Sequence, residues 1–244
     1  MFKWPVCPIQ GRQLKDVRKE DIFEDFRFCN TYRGGGGYDQ FPEIAHKRGL
    51  TCKGHIGLQF VVQLYGCPLN CSYCYVTEDG IRGMFKSHTS EQLLESYERA
   101  HTARKPGVFH LMGGAPALYN KHWPELLDIL PKDVIFHSDL MLIERPYDLS
   151  TLSRCGAGNA LYAVNIKGVS AEDHFRNTGR KLDDKQFWFN FHCLVDSGIS
   201  FYLTFTNPDP DHLDEFKERV VSRHGDWVLD DSFTINLVTY EALK

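Results

Sequence analysis

The stretch "GLQFVVQLYGCPLNCSYCY" (57–75) runs from an apolar, β-rich segment straight into three cysteines, Cys67, Cys71 and Cys74. Its Val, Leu and Phe content predicts a strand over 57–65. In parallel α/β architectures the loops at the carboxyl ends of strands converge on the site, so the cysteines stand where such folds do their chemistry. Three thiolates at Cys-x3-Cys-x2-Cys spacing can hold three of the four irons of a cubane cluster and leave the fourth open to a chelating ligand. The competing reading is a zinc site completed by Cys52 or His55, which would make the chain a zinc-stabilised, non-catalytic α/β binding module. Zinc ribbons usually pair two Cys-x2-Cys units, and no second pair is present.

Downstream, β-rich runs alternate with amphipathic ones. Strands are predicted at "GVFHLM" (107–112), "DVIFHSDLML" (133–142), "ALYAVNIKG" (160–168), "ISFYLTFT" (199–206) and "SFTINLVTY" (232–240). Between them lie predicted helices: "TSEQLLESYERAHTARK" (89–105), "NKHWPELLDIL" (120–130), "DLSTLSRCG" (148–156), "DDKQFWFNFHCLVDSG" (183–198) and "HLDEFKERVVSRHG" (212–225). Thr89 and Gln92 form a capping box at the start of the first, and Gly156 ends the third. Six strands alternating with helices pair in parallel, and six units are too few for a closed eight-stranded barrel. The expected fold is α/β, an open partial (β/α)6 barrel over 57–244 with an N-terminal extension over 1–56.

That extension breaks the rhythm. "QLKDVRKEDIFEDFRFC" (13–29) reads as a helix, and the glycines Gly34–Gly37 as a loop or lid. The net charge of −4 gives no basic footprint for a nucleic-acid backbone, and the N-terminus lacks an apolar signal region. A cytoplasmic enzyme is the expectation. Eight cysteines without an export signal favour thiols or metal over disulfides. Cys7, Cys29, Cys52, Cys155 and Cys193 are scattered; a second cluster on Cys7, Cys29 and Cys52 has no regular spacing behind it. His110 and His137 fall in strands, as core histidines or as proton donors and substrate contacts.

The "CPLNCSYC" motif (67–74) resembles the signature of the radical S-adenosylmethionine (radical SAM) superfamily. The resemblance spans about residues 55–240, and its pattern is similar to the pyruvate formate-lyase activating enzyme branch. It implies a [4Fe–4S] cluster on Cys67, Cys71 and Cys74, with S-adenosylmethionine chelating the open iron. Reductive cleavage of the sulfonium would then give a 5′-deoxyadenosyl radical that abstracts a hydrogen atom. "MGGAPA" (112–117) resembles the family's Gly-Gly-Glu-Pro segment, with Gly113, Gly114 and Pro116 matching and Ala115 replacing the acid. By the same resemblance Tyr73 lies against the adenine, and Ser138 and Asp139 contact ribose or methionine. "NIKG … NTG" matches an Asp-x-Lys … Thr-Gly segment, with Asn165 in place of Asp and Lys167 paired with the methionine carboxylate. Asn207 belongs to the loop after the fifth strand, and Tyr240 and Glu241 end the sixth. A flavodoxin or ferredoxin-type protein is the implied electron donor. The substrate is a small molecule or nucleotide rather than a protein, if the N-terminal segment closes over the site.

Overall fold

In the computed structural model the described residues are 1–7, 41–74, 76, 78–156 and 158–229, together with the strand backbone of 22–23, 26–30 and 235–238. The glycine run Gly34–Gly37, the first part of the predicted 13–29 helix, and Tyr240 and Glu241 lie outside them.

Six parallel strands carry the molecule: β4 (His55–Gln63), β6 (Pro106–Met112), β7 (Ile135–Leu140), β8 (Ala160–Ile166), β9 (Phe201–Thr206) and β10 (Ile235–Val238). They lie side by side in chain order through five parallel ladders. The sheet remains open, with β10 at one edge. At the other, β3 (Phe26–Asn30) pairs antiparallel with β4, and β2 (Ile22–Phe23) folds back on β3. The helix predicted over 13–29 is therefore corrected at its C-terminal half. Ile22, Phe23 and Phe26–Asn30 are strand, because the outer edge of β4 offers backbone groups that a hairpin can pair. Two further short strands, β1 (Trp4–Val6) and β5 (Lys86–His88), pair antiparallel. The N-terminal strand is tied to the end of β4 by Cys7 N–H to the Gln63 carbonyl (2.8 Å) and Tyr65 N–H to the Pro5 carbonyl (2.9 Å).

Alternation along the strands separates two environments. Phe60, Val62, Phe109, Leu111, Phe136, Tyr162, Val164, Leu203 and Phe205 face the helices and build the main core. They meet α3 (Ser90–Arg104) through Leu93 and Tyr97, α7 (Asp184–Asp196) through Phe187 and Phe191, and α8 (Pro210–His224) through Leu213 and Phe216. Helix α3 starts at the Thr89–Gln92 capping box. The segment predicted as one helix over 120–130 is instead a 3-10 turn (Pro116–His122) followed by α4 (Trp123–Leu127), with Pro124 in its first turn. Helix α5 (Leu149–Cys155) begins on the Asp148 cap.

The other strand face lines the barrel interior. Near the strand starts it is apolar: Val108, Ile135, Leu161, Ala163 and Tyr202 pack on Phe41, Ile44 and Ala45 of α1 (Phe41–Lys47). This short helix plugs the N-terminal mouth of the barrel. Towards the carboxyl ends the same face turns polar, with Gln59, Gln63, His110, His137, Asn165, Thr204 and Thr206 all buried. The fold is thus closed below and polar above.

Candidate functional site

The cysteine loop leaves β4 at Gln63 and is held from three sides. Arg82, at the end of α2 (Glu78–Arg82), is fixed by Glu78 at 2.6 Å and donates to the carbonyls of Cys67 (3.2 Å) and Leu69 (3.0 Å). Ala115 N–H donates to the Gly66 carbonyl at 2.7 Å, and Asn70 N–H to the Thr178 carbonyl at 3.2 Å. Leu69, Ala115 and Met141 make a small apolar floor against Cys67 and Cys71. The Gly66, Cys67 and Leu69 carbonyls and the Asn70 N–H are therefore occupied, which holds the backbone that carries the thiols.

All three cysteines are thiols rather than disulfides, and all three are half-buried. Burial pushes the Cys67 thiol up to about 12, and the neighbouring Cys71, Cys74 and Glu144 push it the same way. A lone thiolate is thus disfavoured there, and a bound cation reverses that balance. Among the described residues, His110, His137 and Asp139 form a group of three ligand-bearing side chains whose ligand atoms lie within 4.8 Å of one another. One tetrahedral zinc, with Zn–S bonds of about 2.3 Å, needs sulfurs about 3.8 Å apart. A polynuclear cluster instead takes one thiolate on each of separate irons, which three cysteines on one loop supply. Cys52 and His55 do not complete it: they stand at the start of β4, a nine-residue strand that spans roughly 25–30 Å at about 3.3 Å per residue.

Around the thiols the strand ends bring most of the predicted residues together. Tyr73 is buried, and the Lys167 ammonium sits 5.6 Å from its ring centroid. Gly113 and Gly114 adopt φ of 67° and 55° after β6. Asp139 and Asn165 lie on the interior face of β7 and β8, and the Asn165 Oδ1 is buried with no partner among the described residues. Asn207, at φ 43°, follows β9 and its carbonyl accepts from Arg176 at 3.0 Å. Ser138 is not brought in. It shares the helix-facing side of β7 with Phe136 and Leu140 and donates to the Leu111 carbonyl at 3.4 Å. Ala115 is fully buried in the floor, its side chain against Leu69.

Three positioning residues escape the sequence reading. Asn177, on α6 (Ala171–Thr178), donates to the carbonyls of Lys167 (2.9 Å) and Thr206 (2.8 Å) and so locks the ends of β8 and β9. Glu144 accepts from Met141 N–H (2.6 Å), Ile143 N–H (3.1 Å) and the Tyr147 hydroxyl (2.7 Å), shaping the loop after β7. Burial raises its carboxyl above the usual range despite those donors. Arg82 is the third. Arg82 and Asn177 carry no local sequence signal because they act on backbone groups remote in the chain, whereas Glu144 acts within its own turn.

No curated protein matches the chain. Solved structures with similar folds include Streptococcus suis SuiB (10% identity, TM-score 0.49, 74% of this chain and 49% of that one). Others are native anSMEcpe with bound AdoMet (15%, 0.47, 72% and 49%) and methylornithine synthase PylB (15%, 0.46, 72% and 51%). The chain spans about half the length of each. A family model described as the Radical SAM superfamily matches residues 61–220, well over half of the chain, from β4 through α8. With the cysteine loop after β4 and six parallel strands behind it, this chain belongs to the radical SAM superfamily.

Proposed function

We propose that the protein is a radical SAM enzyme that cleaves S-adenosylmethionine reductively and abstracts a hydrogen atom from a small molecule or nucleotide. Membership implies an iron–sulfur cluster and S-adenosylmethionine. We assign the cluster as [4Fe–4S] on Cys67, Cys71 and Cys74. When bound, it supplies the electron that breaks the sulfonium C–S bond. The observation that carries the reading is the set of three free, half-buried thiols on a hydrogen-bonded loop at the end of β4, beside polar strand ends.

The chain's residues hold and orient the cofactor. Lys167, anchored through its own carbonyl to Asn177, supplies the positive charge for the methionine carboxylate. Tyr73, beneath that ammonium, offers an aromatic face to the adenine. Ala115 cannot pair with the methionine amino group, whereas the Asn165 Oδ1, with no partner among the described residues, is an acceptor for it. Gly113 and Gly114 let backbone approach, and Asp139 and Asn207 complete the polar rim. Burial on Leu69, Ala115 and Met141 keeps water from the thiol face. A cytoplasmic flavodoxin or ferredoxin-type protein would deliver the electron.

Anaerobic reconstitution tests this. The wild type should bind about four irons, turn brown and form 5′-deoxyadenosine with a strong reductant, and Cys71→Ala should lose both iron and product. A colourless protein with one zinc per chain would overturn the assignment.

A further inference from the structure

Below the strand ends, the barrel interior holds a second group of ligating side chains that uses none of the cysteines. His110 on β6 and His137 on β7 are direct partners in the parallel ladder, with ring centroids 4.1 Å apart. Asp139, two residues further along β7, projects from the same face. Both histidines are 1% exposed, while the Asp139 side chain, at 19%, is the member reached from the open end of the barrel.

The outer nitrogens of both rings are engaged. His110 Nδ1 lies 2.6 Å from Gln59 Oε1, an atom that only accepts, so Nδ1 carries a proton in that contact and Nε2 is turned inward. His137 Nε2 lies 3.2 Å from the Tyr202 hydroxyl, leaving Nδ1. Those two inward nitrogens and Asp139 Oδ1 are all buried with no partner among the described residues. His110 Nε2 and Asp139 Oδ2 approach to 3.8 Å, too far for a hydrogen bond. Buried polar atoms are normally paired, and two orphaned imidazole nitrogens, with an Asp139 carboxylate oxygen 3.8 Å from one of them, mark a place for a ligand.

We propose that His110, His137 and Asp139 form a site for one divalent first-row transition-metal ion in the barrel interior, with Gln59 and Tyr202 as positioning residues. Two imidazoles and one carboxylate on one side of an ion leave its remaining positions open. One ligand atom from each residue already lies within 4.8 Å of the others. Bonds of about 2.1 Å require separations of about 3.0–3.5 Å, which small side-chain movements supply. The hydrogen-bonded outer nitrogens match the usual support of metal-bound histidine, where an acceptor fixes the tautomer. The open positions face the polar upper interior and would take oxygen donors of a substrate, such as a carboxylate or phosphate.

Because the site omits the thiols, it stands or falls apart from the cluster assignment. The test is an anaerobic Co2+ titration of the full-length Cys67→Ala/Cys71→Ala/Cys74→Ala variant. The expected result is one equivalent bound, with weak visible d–d bands and no intense near-ultraviolet thiolate charge transfer. His137→Ala and Asp139→Asn in that background should abolish it, and Gln59→Leu should weaken it about 10–100-fold. Failure to bind Co2+, or binding unchanged by His137→Ala, overturns the proposal. Should the triple variant not fold, elemental analysis of the reconstituted wild type against His137→Ala decides instead. One zinc beyond the cluster iron, lost in the variant, supports the site; equal zinc in both refutes it.

Discussion

Gly114 shows how finely single positions set the cysteine loop. A Cβ there would lie 2.4 Å from the Gly66 carbonyl oxygen and 2.5 Å from that of Leu64, and its φ of 55° is already left-handed. Both obstacles are backbone and cannot swing aside. Gly114→Ala should therefore cost about 2–4 kcal/mol in urea unfolding and lower iron retention, because the turn after β6 is pushed off Gly66. At Gly113 the obstacle is side chain, the Cγ of buried Gln63 at 2.3 Å, which a change of the Gln63 rotamer can relieve in part, so Gly113→Ala should cost somewhat less, about 1–3 kcal/mol. An equal cost at both would mean that strain, not contact, dominates. The glycines were legible as a motif, yet their tight packing on the β4 end was not, since that contact joins positions far apart in the chain. Ser138 is the reverse case. Its parity with Phe136 and Leu140 was readable in "FHSDL" and puts it on the helix-facing side, while Asp139 turns inward.

Elements were legible where period and caps agreed. The six parallel strands emerge from their β-rich runs, and α3 from Thr89 and Gln92. Helix α6 carried start and stop signals too: Ser170 Oγ accepts from Asp173 N–H, and Gly179 closes it at φ 65°. The Thr-Gly resemblance concerns only the end of this helix, Thr178 and Gly179. The β2–β3 hairpin was hidden because charged residues among Ile and Phe also fit a helix, and only the outer edge of β4 decides. Between α7 and α8, His192 Nδ1 lies 2.7 Å from His224 Nε2. Burial, with Arg223, His224 and Arg219 nearby and only Asp196 opposing, lowers His192 to about 4. Burial lowers His224 as well. In that range the unfolded chain binds the proton that the folded chain refuses. The contribution of this pair to stability should be complete above pH 6.5 and fall as pH drops from about 6.5 towards 4, by on the order of 1 kcal/mol after solvent screening. His192→Gln should flatten that slope in denaturant midpoints measured across the window. An unchanged slope would place the acid sensitivity elsewhere.

At the scale of the molecule the two ends of the barrel do different work. The carboxyl ends hold the thiols and the polar interior, and the amino ends are stoppered by α1. Strand order followed from the alternation of elements, but the stopper did not. "FPEIAHK" has only three core-facing residues, Phe41, Ile44 and Ala45, too few to show a helical period without the barrel mouth that receives them. Phe41 is 2% exposed, and its ring centroid lies 4.5 Å from that of His137. Truncating it removes a large buried side chain from a site walled by Val108, Ile135, Leu161 and Tyr202, which cannot collapse inward without moving strands. Phe41→Ala should cost about 3–5 kcal/mol in guanidinium unfolding, and Phe41→Leu about 1 kcal/mol. Iron bound per folded molecule should stay at the wild-type level in both, because the length of β4 separates stopper from thiols. A loss of iron that tracks the loss of stability would show instead that the two ends fold and bind as one unit. The interior histidines would then be the connection to examine, since Phe41 packs on His137 and His137 lies beside His110.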